Sequence, residues 1–201
     1  MDDQNRLLDE VAKIQVGYQA RGKIEENLDG IFTIVRPQDF TDNGELVLDQ
    51  AMRFFPTNID PQKYLISSGD ILVQVRGQNH NAYLIQEPLE NAVVSNSFYI
   101  IRIKDKVRLL PSYLVWWINQ RTVQIYFEKE QGLSTIPFIS KSSLSKAKNA
   151  MSQRIVAELI SDIEVLWRQE QELRQQFTQL KRTLIQAVAH QAIEQSKEAK
   201  L

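Results

Sequence analysis

The sequence predicts an α+β fold, with a mixed or curved β-rich domain over residues 1–145 and one long coiled-coil helix over residues 146–201. Two observations lead to this prediction. All six prolines and all seven glycines lie before residue 140, and neither occurs from 141 to 201. Because both residues break regular helices, their absence permits one uninterrupted helix. Before residue 140, the chain is instead divided into short segments that have the composition of strands.

Five of these segments are rich in β-branched and aromatic residues and are bounded by Gly, Pro, Asn or Asp. In chain order they are VAKIQV, IFTIV, DILVQV, AYLIQ and SFYIIRI. One helical segment, PSYLVWWINQRTVQIYFEKE, follows them, with Pro111 suited to its first turn. Its apolar residues recur at helical spacing, so the sequence predicts one helix over residues 111–130.

The C-terminal helix carries residues spaced alternately by four and three positions, as in a heptad repeat. These residues, called the seam below, are Leu159, Ile163, Leu166, Glu170, Leu173, Phe177, Leu180 and Leu184. A helix from about Met151 to Glu198 would be roughly 70 Å long, so much of the seam would be exposed in a lone chain. The sequence therefore predicts a dimer interface along the seam.

The alternative is that this helix folds back on its own domain or forms a helical hairpin. A hairpin needs a turn, and the chain between Arg168 and Ala192 contains no Gly, Pro or Asn. Glu170 is the polar residue of the seam, and two roles stay open for it. A buried charge there would fix the register or orientation of two helices, or it would lie at a hydrated crossing.

Composition excludes several classes of protein. The net charge of −1 argues against a protein that coats nucleic acid by bulk charge, although it permits a local basic patch. Without cysteines and with two distant histidines, neither a thiolate site nor a histidine-rich metal centre is expected. The N-terminus is too acidic for a signal peptide, and no apolar run is long enough to span a membrane. We expect a cytoplasmic protein.

Polar side chains that can read bases follow the DILVQV segment, where the chain turns at Gly77. They are Arg76, Gln78, Asn79, His80 and Asn81. Arginine can bridge two acceptors on guanine, and Asn or Gln can pair with N6 and N7 of adenine. The sequence therefore predicts DNA contact here, with a plain hairpin turn as the alternative, since Asn and Gly also serve turn geometry.

Two further basic stretches are candidates for contact with phosphates. In RIKDKVRLL, a continued strand would place four basic side chains on one face: Arg102, Lys104, Lys106 and Arg108. The alternative is that these cations protect an edge strand from mispairing. Arg21 and Lys23, on either side of Gly22, form the third candidate loop.

Four segments in order suggest a family. They are LLDEVAKIQVGYQARGKI, YLISSGDILVQVRG, LLPSYLVWWINQ and SQRIVAELISDIEVLWRQEQELRQQFTQLKRTLI. They are distributed over nearly the whole chain and resemble the specificity subunits of type I restriction–modification enzymes, which carry target-recognition domains that read DNA. Two features depart from that family. The approach to the long helix, SKAKNAMSQ, lacks the usual prolines, and the chain has room for one recognition domain and one long helix where the family has two of each.

The resemblance implies a DNA-binding specificity component that catalyses nothing, while partner methyltransferase subunits use S-adenosylmethionine and an endonuclease subunit joins them. The sequence contains no phosphate-loop, dinucleotide-binding, zinc-protease or nucleophile-elbow motif, and no cofactor is expected. A homodimer through the long helix would read a palindrome with an unread spacer. The rival interpretations are a coiled-coil adaptor that never binds DNA and, more weakly, an enzyme with an unrecognised site.

Overall fold

The computed structural model describes residues 6–41, 43–49, 51–56, 59–107, 109–131, 137–149 and 154–198. The chain divides into two compact units, one up to Ser161 and the other from Asp162. The strands are β1 (Arg6–Leu7), β2 (Ala12–Val16), β3 (Phe32–Val35), β4 (Met52–Phe54), β5 (Ile71–Gln74), β6 (Ala82–Leu84), β7 (Ala92–Val94), β8 (Phe98–Ile103) and β9 (Lys148–Asn149). The helices are α1 (Leu8–Val11), α2 (Pro111–Ile118), α3 (Arg121–Glu130), α4 (Lys141–Ser145) and α5 (Arg154–Glu198), with 3-10 turns at Pro37–Asp39 and Pro61–Tyr64.

The described part of the first unit contains three sheets. The largest is antiparallel and has the order β2-β8-β5-β6. The second has the order β4-β3-β7, in which β3 pairs antiparallel with β4 and parallel with β7. The third joins β1 to β9, with Arg6 opposite Asn149. The α+β class is therefore confirmed, and each of the five predicted segments contains a strand.

The central strand β8 supplies side chains to two hydrophobic cores, one on each face of its sheet. Tyr99, Ile101 and Ile103 pack in the core that also contains the apolar residues of α2 and α3. Phe98 and Ile100 point to the other face and pack with residues of β3 and β7. Because successive side chains of a strand alternate between faces, a strand that is buried on both faces has an almost entirely apolar sequence. This explains the composition of SFYIIRI.

The predicted helix over residues 111–130 is interrupted, so that prediction was wrong in extent. The chain forms α2 and α3 instead, with Asn119 and Gln120 between them. The Asn119 amide nitrogen donates to the Ala82 carbonyl at 3.0 Å, and its oxygen accepts from the Ala82 backbone N–H at 2.8 Å. Ala82 lies in the outer strand β6. The Asn119 side chain therefore forms hydrogen bonds with backbone groups at the edge of the sheet, as a further strand would. Helical periodicity alone does not reveal this contact.

The long C-terminal helix is confirmed as one continuous element, α5, of 45 residues. Ile160, near its start, packs against the core that contains α2 and α3. Beyond Asp162, apolar side chains on several faces are exposed, including Trp167 and Val188. In the part of the chain that the structure describes, no helix is long and apolar enough to cross a membrane.

Candidate nucleic-acid interface

Backbone hydrogen bonds join the loop between β5 and β6 to residues 137–139. Gly77 adopts a φ of 101°, a left-handed conformation that glycine accepts without strain. Its N–H donates to the Pro137 carbonyl at 3.0 Å, and the Ile139 N–H donates to the Val75 carbonyl at the same distance. The loop is thus paired with residues 137–139, and its exposed side chains project from a fixed backbone.

Four of the five polar side chains predicted at this loop lie at the surface. Arg76, Gln78, Asn79 and Asn81 are all exposed. The Arg76 guanidinium lies over the Phe138 ring, 5.5 Å from its centre, in a cation–π arrangement. An arginine supported in this way is partly ordered before it meets a base or a phosphate, which reduces the entropy lost on binding.

His80 differs from the expectation, because its side chain is only 1% exposed. Its Nδ1 donates to the Gln74 carbonyl oxygen at 3.2 Å, and its Nε2 is hydrogen-bonded to the Gln131 side chain. Burial lowers the pKa of His80 below the ordinary value of 6.5, against smaller opposing effects of the Gln74 carbonyl and Glu128. His80 is therefore a neutral, buried residue that supports the loop through hydrogen bonds. Its side chain is not exposed at the surface with those of Arg76, Gln78, Asn79 and Asn81.

The buried imidazole makes stability depend on pH. Unfolded His80 takes up a proton near its ordinary pKa of 6.5, whereas the folded state resists protonation. We expect the free energy of unfolding to decrease as the pH falls from about 6.5 towards the lower pKa that His80 has in the folded state. Urea unfolding at a series of pH values should show a shallower pH slope for His80→Gln than for the wild type. The exposed neighbour variant Gln78→Ala should keep the wild-type slope, and equal slopes for all three proteins would contradict this role.

The predicted basic row on a continued strand is wrong in its geometry, because β8 ends at Ile103. The Asp105 Oδ1 accepts from the Val107 N–H at 3.0 Å, and the Leu109 N–H donates to the Asp105 carbonyl at 3.1 Å. An aspartate that bonds the backbone two residues later starts a turn. The cations after Arg102 are consequently not aligned on one strand face.

The cations of this stretch have separate environments. Arg102 forms an ion pair with the buried Asp70 at 2.8 Å. The Lys104 Nζ donates to the carbonyl oxygens of Asp9 and Glu10, at 2.6 and 3.2 Å, at the end of α1. Lys106 is exposed, and Arg108 lies outside the described residues. DNA contact by these residues stays a prediction.

Arg21 and Lys23 line an open cleft of about 540 Å³. Tyr18, Phe54 and Phe55 also line it, and Phe55 is 46% exposed. A cation beside an exposed aromatic ring is the combination with which proteins hold nucleic-acid backbones and unstacked bases. The sequence analysis identified Arg21 and Lys23 but did not identify Phe55, which lines the same cleft. It also did not identify Phe138, which packs against Arg76. Both phenylalanines are distant in sequence from the cations they accompany, and no short motif links them.

The seam of α5 is exposed to solvent along the described part of the second unit. Its apolar members from residue 163 onwards are between 63% and 70% exposed, and they are Ile163, Leu166, Leu173, Phe177, Leu180 and Leu184. Glu170 forms an ion pair with Arg174 on the next turn at 2.8 Å. The side chain of Leu159 lies outside those described. Six large apolar side chains in one exposed stripe are typical of a surface that binds a partner.

Among the described residues, no three histidine, aspartate or glutamate side chains lie close enough together to bind a metal ion. The first unit presents exposed cations, amides and aromatic rings, and the second unit, described by itself, presents an apolar seam. This set of groups can bind phosphates, base edges and another apolar surface.

Comparison with known proteins gives a structural match without a sequence match. No family model matches the chain, and no curated protein matches it significantly. The structure is similar to the type I restriction–modification S subunit from M. genitalium, with a TM-score of 0.53 and 14% identity over 81% of this chain. It is similar to the HsdS subunit from Thermoanaerobacter tengcongensis, with a TM-score of 0.54 and 18% identity over 85% of this chain.

A third similar structure concerns complex assembly and conformational transition of the type I R-M system. Its TM-score is 0.58, with 16% identity over 85% of this chain. This chain spans only 38% to 40% of the three matched chains. The chain therefore has the fold of a type I restriction–modification S subunit over about two fifths of that subunit's length.

Proposed function

We propose that this chain is a DNA-binding specificity component of a type I restriction–modification enzyme and catalyses nothing itself. The observation that supports this most is the shared fold, since each of the three similar structures belongs to a type I system. The exposed loop with Arg76 and Asn79 supplies groups that can distinguish guanine and adenine from other bases. The cations at residues 21 and 23 supply contacts to phosphates, which position the domain on DNA.

In this proposal, two copies join through α5 and hold two recognition units apart. A symmetric pair of units reads a palindrome whose two halves are separated by bases that neither unit contacts. The distance between the half-sites depends on how the two helices align, because the helices set the separation of the units. Methyltransferase subunits that use S-adenosylmethionine, together with an endonuclease subunit, would bind this dimer in the cytoplasm.

The second candidate function is a coiled-coil adaptor that does not bind DNA. The near balance of 24 basic and 25 acidic residues favours this candidate, because DNA-binding domains often carry a basic excess. Salt dependence separates the two functions. A DNA reader loses affinity steeply as salt rises and keeps a preference for one sequence, whereas an adaptor shows neither property.

Replacing both Arg76 and Asn79 with Ala should remove base preference more than it removes overall affinity. Each good bidentate contact with a base contributes about 1–3 kcal/mol of discrimination. We therefore expect the ratio between affinities for the selected target and for a scrambled duplex to fall at least about tenfold. Affinity for the scrambled duplex should change much less. The measurement is fluorescence anisotropy on a target first selected from a random DNA library with the wild-type protein.

The control is Lys129→Ala, which removes one positive charge from the exposed end of α3. It should leave the discrimination ratio unchanged. If the double variant keeps the wild-type ratio, the loop is not the element that reads bases. If the wild-type protein selects no sequence from the library and its affinity does not respond to salt, DNA recognition itself is disproved.

A further inference from the structure

Side-chain amides from the α2–α3 segment contact the second half of the loop between β5 and β6. The Gln124 Nε2 donates to the His80 carbonyl oxygen at 3.1 Å, and the Gln131 side chain is hydrogen-bonded to Nε2 of the His80 imidazole. Asn119 bonds both backbone groups of Ala82, two residues further along the chain. Three amide side chains therefore hold the chain where the loop enters β6.

Gln124 connects this loop to the end of α2. Its amide nitrogen carries two N–H groups and can serve two acceptors. Besides the His80 carbonyl, it donates to the carbonyl oxygen of Ile118, the last residue of α2, at 2.8 Å. A helix leaves its last carbonyls without a partner inside the helix, and the Ile118 carbonyl gains one from Gln124. One side chain thereby ties the position of the loop to the break between α2 and α3.

The His80 imidazole is bonded at both of its ring nitrogens. Nδ1 donates to the carbonyl oxygen of Gln74, the last residue of β5, at 3.2 Å. Because the proton of the neutral ring is then on Nδ1, Nε2 is an acceptor, and the Gln131 amide donates to it. Gln131 follows directly on α3. The orientation of the ring is thus fixed by β5 on one side and by the end of α3 on the other.

The fixed His80 determines how its exposed neighbour Asn79 is presented. Asn79 and Asn81 are both exposed, and the buried His80 lies between them. The Asn81 amide nitrogen donates to the Tyr83 hydroxyl at 3.4 Å, so Asn81 has a contact within the protein. A bidentate contact of Asn with adenine needs the amide oxygen and nitrogen to face the base together. Such contacts tolerate displacements of only about 0.5 Å.

We propose that Gln124 and Gln131 are positioning residues for base recognition. Acting through His80, they hold Asn79 in the orientation in which its amide reads DNA, and neither glutamine contacts DNA itself. The inference rests on the proposed function and adds the residues that give the loop its shape. Sequence preference then depends on α3 as well as on the exposed side chains of the loop.

Gln124→Ala should lower base discrimination without a comparable loss of overall affinity. We expect the ratio between affinities for the selected target and for a scrambled duplex to fall at least about fivefold. Affinity for the scrambled duplex should change less than about twofold, because phosphate contacts carry the sequence-independent part of binding. Gln120→Ala is the matched control, since the Gln120 amide donates to the Trp116 carbonyl at 2.9 Å at the same helix junction. It should keep the wild-type ratio, and an equal fall in both variants would overturn the proposal.

A double-variant cycle separates positioning from a general loss of structure. Gln131→Ala should lower the discrimination ratio at least about fivefold in the wild type but less than about twofold in the Asn79→Ala protein, because the contact that it positions is already absent there. The remaining discrimination of the Asn79→Ala protein comes from Arg76 in the proposed function. Equal falls in the two backgrounds would show a general structural effect and overturn the positioning role.

The same measurements distinguish failure of this inference from failure of the proposed function. A wild-type protein that selects no sequence disproves the proposed function and the inference together. A selective wild type whose Gln124→Ala and Gln131→Ala variants keep its discrimination ratio disproves the inference alone. Urea unfolding of each variant establishes that the proteins compared in the binding assay are folded.

Discussion

Leu173→Asp should convert a dimer into a monomer without unfolding the chain. Leu173 is 64% exposed in the single chain, so the substitution costs the isolated protein little more than the difference in helix propensity. In a dimer, the same substitution places two carboxylates in an apolar interface, where an unpaired charge costs several kcal/mol. We expect the dissociation constant of the dimer to rise at least about 100-fold.

Light scattering gives the mass directly, with the wild type near twice 23.3 kDa and the variant near 23.3 kDa. Gln175→Asp is the matched control, because it adds the same charge to the same helix two positions later, on nearly the opposite face. It should leave the dimer intact. A Leu173→Asp protein that stays dimeric would show that the seam is not the interface. In the proposed function, the monomeric variant also loses its preference for a full palindrome over a half-site.

Arg102→Ala should destabilise the first unit by about 2–3 kcal/mol. The Arg102 Nε and Nη2 donate to the two carboxylate oxygens of Asp70 at 2.9 and 2.8 Å, and Nη2 also donates to the Leu65 carbonyl at 2.7 Å. The Asp70 side chain is only 7% exposed. Among the residues that the structure describes, removal of the arginine leaves the buried Asp70 carboxylate with the Ser67 N–H as its donor, at 3.0 Å. The loss is smaller than for a fully buried pair, because a third of the Arg102 side chain is exposed and is screened by water.

Urea unfolding measures this loss, with Lys106→Ala as a control that should change stability by less than about 0.5 kcal/mol. The double variant Asp70→Ala with Arg102→Ala should recover much of the stability, because it removes both members of the pair. DNA affinity of this double variant then tests the sequence-based prediction that Arg102 contacts phosphates. Wild-type affinity in the folded double variant would assign Arg102 a purely structural role.

The fold class was predictable because it depends on local composition. Strand-forming segments and the absence of helix-breaking residues after position 140 are visible without knowledge of any contact. The break between α2 and α3 was not visible, since it depends on Asn119 reaching Ala82 from 37 positions away. The strands β4 and β7, of three residues each, were not among the predicted segments.

The candidate site was predictable as a set of residue types but not as an arrangement. Sequence spacing identified the loop at residues 76–81, yet it could not show that His80 turns inward, because burial depends on neighbours such as Gln131. Similarly, the alternation of cations after Arg102 suggested a strand face, and the turn begun by Asp105 ends the strand first. After Arg102, a local hydrogen bond outweighs a periodic pattern, whereas the burial of His80 depends on a contact that is distant in sequence.

The pairing of β1 with β9, and of β2 with β8, bears on the order of events during synthesis on the ribosome. Arg6 pairs with Asn149, and Ala12 pairs with Ile103. The first strands therefore have no partners until far later residues have been translated, and contacts of such high sequence separation slow folding. The first unit is completed only after residue 149 has left the exit tunnel. The ribosome adds α5 after β9, so a nascent chain acquires its seam after the strands of the first unit have been synthesised.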